Sequence, residues 1–217
     1  GWYVTDTGER LARGDVWLYF AANAASVKIT HSLILTEDTN KVWFRDYGLE
    51  FKTPALLSDV YCARGVPGEE SVIKVKGKEV FLLQDVYPHF AEKEYKAGVG
   101  VSENNSDKFI ENFNVAGDWA YGDYGNFGIA LVIPWLAERF PKEISFGESG
   151  ARAVLWSGRS KRELDFRAKT LIEEYWQTWA REGLGAPKKG AEIYSNAQGT
   201  SLTHDMWLLP RQGNYNA

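Results

Sequence analysis

The segment SVKITHSLILT, residues 26–36, repeats its apolar side chains with a period of two residues. Successive side chains of an extended strand point to opposite faces, so this period predicts a β-strand with one buried face. His31 lies on that predicted buried face. The apolar residues that share the face with it are Val27, Ile29, Leu33 and Leu35. A chain built from such runs must fold into sheets that bury one side against each other.

Other segments are also typical of strands. VWLYF, residues 16–20, is rich in β-branched and aromatic residues and is separated from the first run by the turn-prone AANAA. The segment 41–54 predicts a strand that bends at Gly48 and stops at Pro54. A final strand is expected to pass through His204.

Two segments predict β-hairpins because glycine interrupts a β-rich run. The first is 71–84, which we expect to fold about residues 76–78, and the second is 144–157, with its turn at 147–150. The resulting fold class is mainly β, an antiparallel two-sheet sandwich.

One long helix is expected to accompany the sheets. The segment 160–183 has Ser160 and Glu163 at capping-box spacing and Gly183 at its end. Its apolar stripe consists of Leu164, Ala168, Leu171, Ile172, Tyr175, Trp176 and Trp179. Residues 134–141 predict one or two further helical turns between two prolines.

Composition excludes several classes of protein. The 217 residues carry a net charge of −4 with both signs interspersed, which argues against a nucleic-acid partner. No apolar run is long enough to span a membrane. The single cysteine, Cys62, excludes an intrachain disulfide and a cysteine-rich zinc site. We expect one domain over 1–217, no metal and no cofactor. The start at Gly1 suggests a fragment or a trimmed chain.

The histidines are the first candidates for chemistry. His204 and Asp205 are neighbours, so on a strand they point to opposite faces and cannot form a dyad with each other. Two interpretations are open for His31 and His204. Both are hydrogen-bonded core residues, or both enter one cleft as acid and base. Asp205 shares its face with Trp207.

An aromatic segment, NVAGDWAYGDYGNFG at 114–128, is the second candidate. One interpretation is an exposed loop that presents Trp119, Tyr121 and Tyr124 to a sugar, whose apolar C–H patches stack on aromatic rings. The other is a glycine-bent strand whose aromatic residues belong to the core. A positive patch of Arg152, Arg159, Lys161 and Arg162 follows, and would suit an anionic sugar or a solvated helix start.

Several runs, taken in order, resemble a known family. They are VKITHSLILT, VWFRDYGLEFKTP, FLLQDVYPHF, GNFGIALVIPWLAERFPKEI with AVLWS, and GTSLTHDMWLL. Together they resemble the β-sandwich region of the exo-rhamnogalacturonan lyase (YetA-like) family, from about Asp15 to Leu209. The resemblance implies a sandwich of the galactose-mutarotase type, placed between a small barrel and an α/α toroid. The resemblance therefore implies that residues 1–217 are the sandwich module of a larger multidomain protein, in which the helix predicted at 160–183 looks like an insertion.

Two functions follow from the resemblance and the candidate residues. The first is a secreted, extracellular or periplasmic polysaccharide lyase, or part of one, that cleaves acidic glycans by β-elimination. Arg45 or Arg152 would neutralise the uronate carboxylate, and His31, His204 or Tyr121 would serve as base and acid. Trp119, Tyr124, Arg152 and Asp205 would bind the substrate. The second is a non-catalytic sugar-binding or structural module. In both, the partners are an oligosaccharide or polysaccharide and the flanking domains of a parent chain.

Overall fold

The computed structural model describes residues 1–53, 55–66, 68–86, 97–104, 106–167 and 196–212. These residues are mainly β-strands, as the period of the apolar residues predicts. The strands are β1 (Trp2–Val4), β2 (Arg10–Phe20), β3 (Val27–Leu35), β4 (Tyr47–Lys52), β5 (Asp59–Arg64), β6 (Ser71–Val75), β7 (Glu79–Gln84), β8 (Ala97–Glu103), β9 (Ser106–Phe113), β10 (Ala116–Asp123), β11 (Phe127–Val132), β12 (Lys142–Gly147), β13 (Gly150–Trp156) and β14 (Ser201–Gln212).

The strands form two antiparallel sheets. The eight-stranded sheet has the order β1-β2-β3-β14-β11-β10-β5-β6, and the six-stranded sheet has the order β4-β13-β12-β7-β8-β9. The predicted two-sheet, sandwich-like, mainly β fold is therefore confirmed.

The chain divides into two compact units. The first consists of Gly1–Val16, His31–Phe44 and Glu163–Thr203, and the second of Trp17–Thr30, Arg45–Arg162 and His204–Ala217. In the first unit, the rings of Tyr3 and Phe44 pack edge to face with centroids 6.3 Å apart, and Phe44 forms an isolated β-bridge with Leu164.

The second unit contains the packed face of the sandwich. Gly122 of β10 faces Phe146 of β12, and a methyl group added at Gly122 would lie only 2.4 Å from that ring. The two sheets therefore pack closely here, because Gly122 has no side chain and leaves room for the Phe146 ring. The inward residues around this contact are completely buried; they include Cys62, Val80, Leu82, Ala120, Leu131, Ile144 and Met206.

Several predicted elements are confirmed. The segment 26–36 contains β3, and Ile29, His31 and Leu33 on its apolar face are all buried. The segment 144–157 contains the hairpin of β12 and β13, which closes with Gly147 opposite Gly150. The final strand is β14.

The predicted hairpin at 71–84 is wrong. Its two halves are both strands, but β6 pairs with β5 in the eight-stranded sheet, whereas β7 pairs with β12 and β8 in the other sheet. The glycine-containing turn at 76–78 therefore carries the chain from one sheet to the other instead of folding it back on itself. The strand predicted at 41–54 is shorter than expected, since β4 begins at Tyr47.

The predicted start of the long helix is also wrong. Ser157 caps a 3-10 helix at Gly158–Ser160, and Lys161 ends it in a left-handed conformation with φ of 58°. Leu164 then pairs with Phe44 as an extended residue, so Ser160 and Glu163 do not form a helix cap. The rest of the predicted helix, with Trp176 in its apolar stripe, lies outside the described residues. Residues 134–139 form turns and not a regular helix.

Candidate functional site

Strand β14 sends His204 and Asp205 to opposite faces, as their adjacency predicts. Met206 is completely buried two residues after His204, and the His204 ring lies 6.4 Å from the ring of Tyr47 on the other sheet. Asp205 points outward. Its Oδ1 accepts a hydrogen bond from the Thr30 hydroxyl at 2.5 Å, and its Oδ2 lies 2.9 Å from the Lys28 ammonium. The Thr30 bond, followed by Lys28, lowers the pKa of Asp205.

Lys28 lies between two aromatic rings. Its Nζ is 5.7 Å from the centroid of Tyr19 and 5.6 Å from the centroid of Trp207. Tyr19 is 53% exposed, and Trp207 is half-buried. A cation held against two ring faces leaves part of each ring open for a second contact.

Tyr19, Lys28 and Trp207 form a row across the outward face of the eight-stranded sheet, and this row continues onto the next strands. Trp207 pairs with Val132 of β11, and Val132 pairs with Trp119 of β10. Paired residues of neighbouring antiparallel strands point to the same side, so Trp119 and Trp207 share the outward face. Trp119 is half-buried.

A second row runs alongside the first. Tyr121 pairs with Tyr61, their ring centroids are 6.1 Å apart, and Lys74 lies over the Tyr61 ring at 5.2 Å. The Tyr121 side chain lies across Gly128, and any side chain at position 128 would collide with the Tyr121 hydroxyl. Tyr121 is only 3% exposed. Hydrogen bonds to the Tyr61 hydroxyl and to Asp59 raise the pKa of Lys74.

These two rows define the aromatic face of the second unit. It consists of Tyr19, Lys28, Thr30, Tyr61, Lys74, Trp119, Tyr121, Asp205 and Trp207. The exposed-loop interpretation of 114–128 is wrong, because the segment forms β10 and the beginning of β11. Trp119 and Tyr121 are nevertheless on an outward sheet face.

Tyr124 lies apart from the aromatic face. It is 5% exposed in the turn between β10 and β11, and its ring stacks on Phe127 with centroids 5.3 Å apart. Burial raises the pKa of Tyr124 to about 12. This ring serves the packing of the turn.

The three arginines of the predicted positive patch are paired with carboxylates, whereas Lys161 is exposed. Arg152 pairs with Asp46 at 3.1 Å. Arg159 contacts the buried carboxylate of Glu143 and lies 2.6 Å from Glu79 and 3.2 Å from Asp107. Arg162 lies 3.5 Å from Asp85. Burial raises the pKa of Glu143, while Arg159 opposes that change. Arg45 is an exposed residue that precedes β4.

His31 belongs to the first unit, and Arg45, Tyr121 and His204 belong to the second. The Nε2 of His31 lies 2.9 Å from the Tyr3 hydroxyl, and burial lowers the pKa of His31 to about 4. Burial has this effect on a histidine because it disfavours the charged imidazolium. Within the second unit, His204 and Tyr121 lie on opposite faces of one sheet. The catalytic roles of all four residues stay predictions.

Sequence reasoning placed Trp119 and Asp205 among the binding residues but missed Tyr19, Lys28, Thr30 and Trp207 as a group. The signal was present in SVKITHSLILT, since Lys28 and Thr30 occupy the even positions that must face outward when the odd positions are buried.

The described residues contain no group of three or more potential metal ligands. They also contain no helix long and apolar enough to cross a membrane. No protein-family model matches the chain, and no curated protein matches it.

Proposed function

We propose that this chain is a non-catalytic carbohydrate-binding β-sandwich, and that it holds an oligosaccharide on its aromatic face. The observation that carries the proposal is the position of Lys28 between the rings of Tyr19 and Trp207, beside Asp205 and Thr30. Rings cover the apolar C–H patches of a sugar, while charged and hydroxyl groups bind its hydroxyls.

Each group has a defined task in this proposal. The open parts of the Tyr19 and Trp207 rings stack on successive sugar units. Asp205 is ionised, because its pKa is lowered, so it accepts hydrogen bonds from sugar hydroxyls. Lys28 donates to hydroxyl or carboxylate oxygens. Trp119, one strand beyond Val132, extends the stacking surface along the glycan.

Binding is favoured over catalysis by the positions of the candidate acid and base groups. β-Elimination needs both groups at one sugar ring. His204 points to the inner face of its sheet and Tyr121 to the outer face, so these two cannot act on the same sugar. The resemblance to the lyase sandwich of the galactose-mutarotase type supports an acidic glycan as ligand and an extracellular or periplasmic location. Cleavage would then belong to a larger parent protein.

Calorimetric titration with pectic oligosaccharides tests the proposal. Trp207→Ala and Tyr19→Ala should each weaken binding about tenfold, since each removes one stacking ring. Phe109→Ala is the matched control, because Phe109 is 43% exposed on the other sheet. Equal affinity of all three variants would overturn the proposal. A rise in unsaturated-uronate absorbance with this chain alone would show a lyase instead.

A further inference from the structure

The outer face of the six-stranded sheet carries a groove of about 600 Å³ that lies entirely within the second unit. Its floor is the end of the hairpin of β12 and β13. Gly147 and Gly150 pair there and carry no side chains, so the sheet face is open at this point. Glu50 of β4 lies on one side, and Lys78, just before β7, lies on the other.

Ser145 is the floor residue that can hydrogen-bond to a ligand in the groove. Its neighbours Ile144 and Phe146 point into the core, so Ser145 points outward into the groove. The residue is only 2% exposed. Among the residues that the structure describes, none forms a hydrogen bond with its hydroxyl. The hydroxyl oxygen keeps contact with the solvent in the groove, and a bound molecule would replace that water as its partner.

The groove also contains charged side chains of both signs. Two of them already form ion pairs: Glu79 pairs with Arg159, and Arg152 pairs with Asp46. By contrast, no described residue pairs with the side chains of Glu50, Glu148 or Lys78. Two carboxylates therefore stand near the β4 side and the hairpin turn, and one ammonium stands at the β7 side.

The spacing of these charges sets the length of the ligand. β4 and β7 are separated by β13 and β12. Neighbouring strands lie about 4.8 Å apart, so the two walls are roughly 14 Å apart at the backbone and closer at the side-chain ends. An extended peptide of three residues spans about 10 Å. The lining residues offer no ring face for a sugar, since the Phe146 side chain points toward Gly122.

We infer that this groove is a second binding site, which takes a short zwitterionic peptide of about three residues. The peptide ammonium lies against Glu50 and Glu148, and its carboxylate lies at Lys78. The Ser145 hydroxyl bonds to the peptide backbone between them. This site is independent of the proposed glycan site on the aromatic face.

Calorimetric titration of the whole chain with trialanine tests the inference. The dissociation constant of trialanine should be below the millimolar range. Acetylation of the amino terminus, amidation of the carboxyl terminus, Glu50→Gln and Lys78→Met should each weaken it about fivefold, the upper range for an exposed charge pair. Ser145→Ala should also weaken binding while the melting temperature stays unchanged.

The controls separate this site from the aromatic face. Glu9→Gln and Lys108→Met change exposed charges outside the groove and should leave trialanine affinity unchanged. Trp207→Ala should weaken glycan binding only. The inference is overturned if trialanine shows no binding at a concentration tenfold above about 1 mM, the upper limit expected for its dissociation constant. It is also overturned if capping the peptide termini does not change the affinity, or if maltotriose competes with trialanine.

Discussion

At the residue scale, His31 links the stability of the protein to pH. Burial lowers its pKa to about 4, while the value in the unfolded chain is near 6.5. The unfolded chain therefore binds more protons between these two values. The free energy of unfolding should fall by roughly 3 kcal/mol as the pH drops from about 7 to 4, and this contribution should be constant above pH 7.

Urea unfolding at several pH values measures this effect. His31→Gln keeps a hydrogen-bonding group opposite the Tyr3 hydroxyl but does not titrate. The variant should lose the part of the pH dependence that His31 contributes. If the wild type and the variant show the same slope of unfolding free energy against pH, His31 is not buried in its neutral form.

Lys142 should act in the alkaline range. It is 1% exposed, and its ammonium donates to the Leu155 carbonyl at 3.2 Å. Burial, with Arg139 as a second cause, lowers the pKa of Lys142 to about 7. The unfolded chain binds more protons from there to the ordinary lysine value of about 10.4, so stability should rise with pH across that window. Lys142→Met should abolish the rise, measured by denaturant unfolding near pH 7.5 and 9.5. Lys108→Met, an exposed change, should keep it.

At the element scale, the hairpin of β12 and β13 depends on Gly150. Its φ is +132°, and a methyl group there would lie 2.1 Å from the Phe51 carbonyl oxygen of the paired strand. Gly150→Ala should therefore destabilise the protein by roughly 2–4 kcal/mol. Gly125 also has a positive φ, of +83°, but has open space around it. Gly125→Ala should cost only about 1 kcal/mol. The melting temperatures of the two variants can then be compared. Gly125→Ala shows the cost of backbone strain alone, and Gly150→Ala shows the cost of strain together with a steric collision.

At the scale of the whole molecule, the two proposed sites lie on opposite outer faces of the sandwich in the second unit. Two packed sheets and their core, about 10 Å between backbones, separate them. Glycan affinity should therefore be the same with and without saturating trialanine. Titrating the oligosaccharide into the peptide-loaded protein measures this. A severalfold change in the dissociation constant would mean that the sites are coupled or shared.

The sequence by itself determined which side chains share a face within each strand. The period of two is a property of the extended backbone, so the buried position of His31 and the opposite directions of His204 and Asp205 follow without knowledge of any partner strand. The position of the turn in the 144–157 hairpin could likewise be predicted, because it depends only on two glycines that are close in the sequence.

Only the tertiary structure decided which strands meet. Strands β6 and β7 are joined by three residues, yet they belong to different sheets, and no local pattern distinguishes that crossing from a hairpin. The aromatic face depends on the order β2-β3-β14-β11-β10, which brings Tyr19, Lys28 and Trp207 together from distant parts of the chain. Lys142 and Glu143 are both buried because Leu155 and Ser157, more than ten residues away, supply their hydrogen bonds. Strand pairing is a long-range interaction, and its energy comes from contacts that the local sequence does not contain.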